Sequence, residues 1–261
     1  MRVEGWEKVV NFVKTGTSGL DDMLRGGFLR ESAVLVQGAP GTGKTTLGLQ
    51  FICSGAIQFG EPGLFITFEE FPQQLYRDAG SFGWDLRSLE QAGKLRVMFT
   101  SPETLLAELE SPDSQLSDDI KRLRTKRVVV DSASHFKELT SDPIALRHIF
   151  RSIIGAFKRE GMTALYTAED YHLLGLRQEE AHGLAFLVDT IVLLRYVEIE
   201  GGMRRAILTL KVRGSDHDKD IRQLEIGPRG MHIQSRFKGH AGLLSGSPYR
   251  SISQRALEAF G

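Results

Sequence analysis

The stretch Gly38-Ala39-Pro40-Gly41-Thr42-Gly43-Lys44-Thr45 constrains this chain more than any other. It matches G-x-x-x-x-G-K-[ST], the phosphate-binding loop known as Walker A. The apolar run Ala33-Val34-Leu35-Val36 before it reads as a buried strand, and Thr46-Leu47-Gly48-Leu49-Gln50-Phe51-Ile52 after it as a helix. Strand, loop and helix in that order are the context the motif requires. The glycines let the backbone curl until its N–H groups face a phosphate. The helix N-terminus adds partial positive charge at the same place. Lys44 would reach the β and γ phosphates and the Thr45 hydroxyl would help hold Mg²⁺. Gly38 through Thr45, with Thr46 beyond, are therefore the candidate nucleotide-binding residues. An ordinary Gly-rich turn is the competing reading, and the flanking strand and helix weigh against it.

Further along, Gly60-Glu61-Pro62-Gly63 makes a turn, and Leu64 to Phe68 is a second buried strand ending in Glu69-Glu70. In open α/β sheets the carboxyl ends of the strands face the ligand crevice. A carboxylate there could orient or deprotonate a water beside the γ-phosphate; solvated acids at a strand end fit the position equally well. Arg127-Val128-Val129-Val130-Asp131-Ser132 has the form of a Walker B strand, which would bring Asp131 to the Mg²⁺ shell beside Thr45. Pro72–Gly80, Trp84–Ala92 and Ile144–Lys158 read as helices, and Lys94–Phe99 and Thr163–Thr167 as strands. Residues 101–119 read as a surface connection leading into a helix from Leu116 to Arg124. Lys121, Arg122, Arg124, Lys126 and Arg127 form a basic cluster expected at a solvated helix end. Asp189–Val197 and Ala206–Val212 form a hairpin about Glu200-Gly201-Gly202, and Ile221–Ile226 pairs with Met231–Ile233 through residues 227–230. The whole predicts an α/β fold: a mostly parallel sheet flanked by helices, with β-hairpins at its C-terminal end. Residues 1–14 are expected to be an arm, 15–238 the domain and 239–261 a tail. Thr17 or Ser18 is the expected N-cap of a short helix that Gly26-Gly27 ends.

Composition narrows the function classes. Lys+Arg and Asp+Glu both number 33, so no net charge draws the chain towards DNA or an anionic membrane. Candidate DNA loops at 132–143 and 169–184 set Lys137 and Arg177 against Glu138, Asp142, Glu169, Asp170, Glu179 and Glu180. Nucleic acid is thus disfavoured as a partner, though a local basic face stays possible. Cys53 stands alone among apolar neighbours and reads as an inert buried thiol. No apolar run approaches the ~20 residues of a membrane span. Residues 1–14 carry Glu4 and Glu7 and lack a signal-peptide core, so a cytoplasmic location is expected. None of the seven histidines has metal-site spacing.

With these motifs in order, the chain resembles the KaiC-like ATPases of the RecA superfamily, the family of the cyanobacterial clock ATPase. The resemblance spans nearly all of residues 14–250. It rests on TGTSGLDDMLRGGF (15–28), GAPGTGKTT (38–46), GEPGLFITFEE (60–70), VVVDS (128–132), DTIVLLRYVEIEGGMRRAI (189–207), LKVRGSDHDK (210–219) and LLSGSPYR (243–250). The last segments are most similar to the C-terminal of that family's two tandem domains. The resemblance implies a RecA-like P-loop fold and a hexameric ring with ATP and Mg²⁺ bound between subunits. It implies Glu69 and Glu70 as catalytic residues, Glu69 as the base, and Lys211 and Arg213 as cations reaching the neighbour's nucleotide. Ser215 and His217 would join the nucleotide contacts from the same segment. On position alone, Lys211 and Arg213 at i and i+2 also fit outward charges on an edge strand. That C-terminal domain carries a Ser-Thr phosphorylation pair where this chain has Ala185 and Phe186, so autophosphorylation there is not expected. Asp216 stands where that domain has an aromatic residue. A regulatory or signalling ATPase with an unidentified protein partner is the leading expectation. A nucleotide-gated kinase or interaction module and a recombination-type, DNA-dependent ATPase are the alternatives.

Overall fold

The computed structural model describes residues 11–170, 184–237, 240–243 and 249–250. Residues 1–10 of the expected arm, and Arg177, Glu179 and Glu180 of the candidate loop at 169–184, lie outside the described residues. In chain order the elements are β1 (Phe12–Val13), α1 (Leu20–Met23), β2 (Phe28–Leu29), β3 (Ala33–Gly38), α2 (Lys44–Gln58), β4 (Gly63–Thr67), α3 (Pro72–Ser81), α4 (Leu86–Gln91) and β5 (Leu95–Phe99). Then come α5 (Pro102–Glu110), α6 (Gln115–Leu123), β6 (Arg127–Asp131), a 3₁₀ turn (Ala133–Glu138), α7 (Pro143–Arg159), β7 (Thr163–Glu169) and α8 (Leu184–Leu187). The chain closes with β8 (Thr190–Ile199), β9 (Gly202–Val212), β10 (Arg222–Gly227), β11 (Gly230–Arg236), β12 (His240–Ala241) and β13 (Tyr249–Arg250).

Nine strands form one sheet in the order β11-β10-β9-β8-β3-β7-β6-β4-β5. From β8 to β5 every pairing is parallel; β9, β10 and β11 add on antiparallel. Alternation along each strand sorts side chains onto two faces. Val34, Val36, Phe65, Val129 and Leu165 pack with α2, α3 and α4 on one side. Leu35, Leu64, Ile66, Val128, Val130 and Tyr166 pack with α5, α6 and α7 on the other. With both faces covered, the parallel strands read as continuous apolar runs. The fold places Gly38, Thr67, Phe99, Asp131 and Glu169 together at the carboxyl ends of adjacent parallel strands. That end is where α/β sheets bind ligands.

Several local expectations are corrected. Residues 102–110 are a helix, not a connection: Ser101 caps it by accepting from Thr104 N, Pro102 takes the first position, and Leu105 is buried. The Ser-Pro-Glu composition is the chemistry of a helix start. The short helix α1 is capped neither by Thr17 nor by Ser18. Gly19, in the left-handed region, occupies that position without a side-chain bond, while the Ser18 carbonyl accepts from Ile233 N. Arg127 is not solvated but 1% exposed. Its guanidinium donates to Glu61 Oε2 and to the Phe51 carbonyl. Finally, β9 lies between β8 and β10, but β10 pairs only with Arg205–Ile207, so the end of β9 that carries Lys211 is paired on the β8 side alone.

Candidate nucleotide site

The loop between β3 and α2 is held by its own polar groups. Thr42 Oγ1 donates to the Ala39 carbonyl at 2.7 Å. Lys44 Nζ donates to the carbonyls of Gly38 (2.9 Å) and Ala39 (3.2 Å), which lays the ammonium across the mouth of the loop. No side chain caps the N-terminus of α2, and its first turn holds no acidic residue. The first amides of a fifteen-residue helix and its dipole therefore face an anion site unopposed. Two residues outside the motif brace the loop from β8 and β9. Arg205 Nε donates to the Gly41 carbonyl at 3.2 Å and its guanidinium lies 5.7 Å from the Tyr196 ring. Gly41 has φ +77, and the Tyr196 hydroxyl stands 2.8 Å from where a side chain there would begin. Sequence reasoning missed Tyr196 and Arg205. Both sit in ordinary strand patterns, and only the pairing Tyr196↔Arg205 beyond the end of β3 brings them to the loop.

The pair Thr45 and Asp131 meets as the motifs predict: Thr45 Oγ1 donates to Asp131 Oδ2 at 2.8 Å. Thr167, from the end of β7, donates to the other carboxylate oxygen, Oδ1. A hydroxyl and a carboxylate in contact, both hard oxygen donors, suit Mg²⁺. Mg²⁺ binds through one or two protein oxygens and fills its shell with water and phosphate. Burial pushes the Asp131 carboxyl above its ordinary range, against the bonds from Thr167 and Thr45 and the nearby Lys44 charge. A cation beside it reverses that preference. Burial pulls the Lys44 ammonium below the ordinary lysine range; the carboxylates of Glu169, Asp131, Asp170 and Glu69 oppose the shift without cancelling it.

Glu69 and Glu70 lie beyond β4, beside this group, and differ from each other. The Glu69 side chain is 73% exposed and 3.6 Å from His135 Nε2; the other ring nitrogen of His135 is 3.0 Å from Glu138 Oε1. Glu70 turns inward: its Oε2 is buried without a hydrogen-bond partner, and its backbone N donates to Thr67 Oγ1. Burial, then the charges of Asp131, Asp78 and Glu69, raise the Glu70 carboxyl above its usual range. His135 was passed over in the sequence because it has no metal-type spacing; the 3₁₀ turn after Asp131 carries it to Glu69.

The remaining predicted residues lie elsewhere. Lys211 pairs with Ile191, and Val212 with Thr190, at the start of β8, so they sit at the amino end of the parallel strands. Lys211 Nζ donates to the carbonyls of Ala185 (3.0 Å) and Val188 (2.8 Å), and Arg213 NH2 to that of Phe186 (2.8 Å). Ser215 and His217 follow in the segment after β9, where Ser215 Oγ donates to the Asp216 carbonyl. Arg205, which touches the loop, is six residues from Lys211 in the same strand, a separation of roughly 20 Å at about 3.3 Å per residue. The structure does not bring Lys211 and Arg213 to this protomer's own Walker A loop. Cys53 is buried, and burial pushes its thiol up to about 12, in keeping with an inert role. No helix of the described residues is long and apolar enough to cross a membrane.

Comparison with known proteins bears on the family and the fold. The sequence model described as "ATPase: KaiC" matches residues 13–238. The chain is 39% identical over 236 residues to the circadian clock protein KaiC3 of Synechocystis, covering 90% of this chain and 46% of that one. It is 37% identical over 238 residues to the circadian clock oscillator protein KaiC of Acaryochloris marina, covering 91% and 45%. It thus spans about half the length of these relatives. Among solved structures it is similar to a KaiC-like protein of Pyrococcus horikoshii OT3, with a TM-score of 0.77, 29% identity and coverage of 87% of this chain and 100% of that one. By its Walker A and B geometry, its sheet order and these matches, the chain belongs to the KaiC ATPase family.

Proposed function

We propose that residues 15–238 form an ATPase domain that binds ATP with Mg²⁺ and hydrolyses the γ-phosphate in a site completed by a second protomer. The observation that carries this reading is the separation along β9. The phosphate loop touches Arg205 at one end, while Lys211 and Arg213 stand roughly 20 Å away at the other. Cations so placed are out of reach of their own protomer's loop, which supports a role at another protomer's nucleotide. Joining the carboxyl end of one sheet to the amino end of the next is a heterologous contact, which closes into a ring when the rotation permits; a hexamer is the ring the resemblance implies. Bound Mg²⁺, held by Thr45 and Asp131, would neutralise phosphate charge. Lys44 and the α2 amides would bind and orient the phosphates. Glu69, open to solvent, would position a water and accept its proton. Glu70, with its raised carboxyl, would support Glu69 rather than act first. Arg213 would meet the charge that develops on the transferred phosphoryl, since only one of its donor groups is spent on Phe186. Ser215 and His217 would accompany it to the nucleotide. Ala185 and Phe186 carry no hydroxyl, which supports water rather than a side chain at that position as the phosphoryl acceptor.

Its likeness to circadian clock proteins supports a regulatory role in timing; a signalling role with a protein partner extends that reading. Incubation with γ-labelled ATP tests the reading. Release of labelled phosphate that needs Mg²⁺ and is indifferent to added DNA is expected. Label retained on protein would instead favour the nucleotide-gated kinase, and stimulation by DNA with a steep salt dependence would favour the recombination-type enzyme.

A further inference from the structure

The 3₁₀ turn after β6 carries a pair of side chains that the nucleotide motifs do not use. Ser132 Oγ accepts from Ser134 N at 3.1 Å and starts the turn. Side chains at i and i+3 eclipse in such a turn, so Glu138 stands over His135, its Oε1 3.0 Å from Nδ1. An ionised carboxylate only accepts. Nδ1 therefore carries the ring hydrogen, and in the neutral ring Nε2 keeps a lone pair. That lone pair faces Glu69 Oε2 at 3.6 Å. Packing holds the ring in this direction. The ring of Phe68, one residue before Glu69, meets it edge to face at 6.0 Å between centroids. Phe68 also lies 5.4 Å from the fully buried Phe136, and its backbone N donates to the Asp131 carbonyl. Among the described residues, Glu69 and Glu138 are the carboxylates in ion-pair contact with the ring. From β7 the turn receives the backbone N of Glu169, donated to Ser134 Oγ, and from α7 the ring of Phe150 against Phe136.

We infer that His135 is a positioning residue for Glu69 and relieves it of the proton drawn from the attacking water. The inference rests on Glu69 being the base. As the water oxygen bonds to the γ-phosphorus and the bond to the ADP oxygen breaks, one water O–H bond breaks and a Glu69 O–H bond forms. The same proton then passes on: the Glu69 O–H bond breaks and the Nε2 lone pair becomes an N–H bond. The imidazolium lies between two ionised carboxylates and loses its proton to solvent from a side chain 25% exposed. Imidazole suits this task, because its change of charge falls near neutral pH. A base held by a third group that is itself oriented is a recurring catalytic arrangement, and Glu138 supplies the outer member here. At 3.6 Å the Glu69 contact is longer than a hydrogen bond. Contacts of this kind tighten when substrate binds, and Glu69, 73% exposed, has room to turn.

Four variants of the full chain, assayed with ATP and Mg²⁺, test it: His135→Ala, His135→Gln, Glu69→Gln, and Glu69→Gln combined with His135→Ala. His135→Ala should lower kcat about tenfold or more, with KM and the affinity for a non-hydrolysable ATP analogue within about twofold of wild type. Added imidazole should restore much of that rate, and should not help Glu69→Gln. His135→Gln fills similar space and offers an amide to Glu69 but takes no proton, so it should stay slow. In the Glu69→Gln background, His135→Ala should cost nothing further, since both residues handle one proton. A wild-type rate in either single His135 variant, losses that multiply in the double variant, or failure of imidazole to rescue His135→Ala would overturn the inference. The base reading is judged separately. Unchanged turnover in Glu69→Gln rejects the base and this inference together; a slow Glu69→Gln beside a normal His135→Ala rejects the inference alone.

Discussion

Replacing Glu61 by Gln isolates the ion cluster that ties the phosphate-loop helix to the strand carrying Asp131. Glu61 Oε2 accepts from Arg127 Nε at 2.8 Å and from its NH2 at 2.6 Å, and Oε1 accepts from Arg30 at 2.8 Å. Arg127 is 1% exposed, lies 4.6 Å from the Phe51 ring and donates to the Phe51 carbonyl at 2.9 Å. It fits only because residue 55 is glycine, where a Cβ would come within 2.5 Å of the Arg127 side chain. Glu61→Gln leaves the guanidinium buried against a neutral amide. Removing one partner of a buried pair costs about 3–5 kcal/mol. Gln keeps one acceptor, and the Glu61 side chain is 15% exposed, so the low end, about 3 kcal/mol, applies. For a domain of this size that is a fall in Tm of roughly 6–12 °C. Adding Arg127→Met removes the stranded charge, and the double variant should regain most of the loss. Burial pushes the Glu61 carboxyl up, but the bonds from Arg30 and Arg127 outweigh it and leave the pKa depressed. The stabilisation is therefore full above the unfolded carboxylate pKa and is lost as pH falls through the lower folded value. The gap between wild type and Glu61→Gln should be widest near pH 7 and close in acid. Urea unfolding without nucleotide, at both pH values, reads it. Equal stability at pH 7, or a double variant no better than the single, would refute the reasoning.

Lys44→Ala should abolish binding of a fluorescent ATP analogue, since it removes the only ammonium bonded to the loop carbonyls among the described residues; retained tight binding would count against the loop as the nucleotide site. The double variant Glu69→Gln, Glu70→Gln should bind ATP normally and lose about 10²–10⁴-fold in turnover, the usual worth of a general base; unchanged phosphate release would dismiss both glutamates. Gly41→Ala forces a side chain into a left-handed backbone and towards the Tyr196 hydroxyl. It should weaken nucleotide affinity about tenfold, and Tyr196→Phe should recover part of that loss in isothermal titration.

Much of the fold was legible because its signals are local. Walker A announces strand, loop and helix within fifteen residues or so, and uninterrupted β-branched runs such as Val128–Val130 can only be strands covered on both faces. What escaped depends on partners distant in sequence. Arg127 looks like the end of a basic run until Glu61 and Phe51 are brought against it. Residues 102–110 looked irregular because Ser101 and Pro102 resemble loop chemistry, although they are a cap and a first turn. In the site, Thr45 and Asp131 were readable from motif spacing alone. Thr167, Tyr196, Arg205 and His135 were not, because no short-range pattern marks a residue whose role comes from strand order. Lys211 and Arg213 were ambiguous for the same reason: how much of β9 stays open is decided by β10, which follows it in the chain and pairs no further than Ile207.

Complementation tests the shared site most directly. Arg213→Ala protomers keep an intact phosphate loop but lend no guanidinium, whereas Lys44→Ala protomers cannot hold nucleotide but can still lend Arg213. Each variant alone should hydrolyse ATP slower by about 10³-fold or more, the scale of an arginine acting between subunits. Mixed in equal amounts, they should release phosphate well above the sum of the separate rates, because some sites then pair an intact loop with an intact Arg213. A mixture no more active than that sum would contradict a nucleotide completed by the neighbouring protomer.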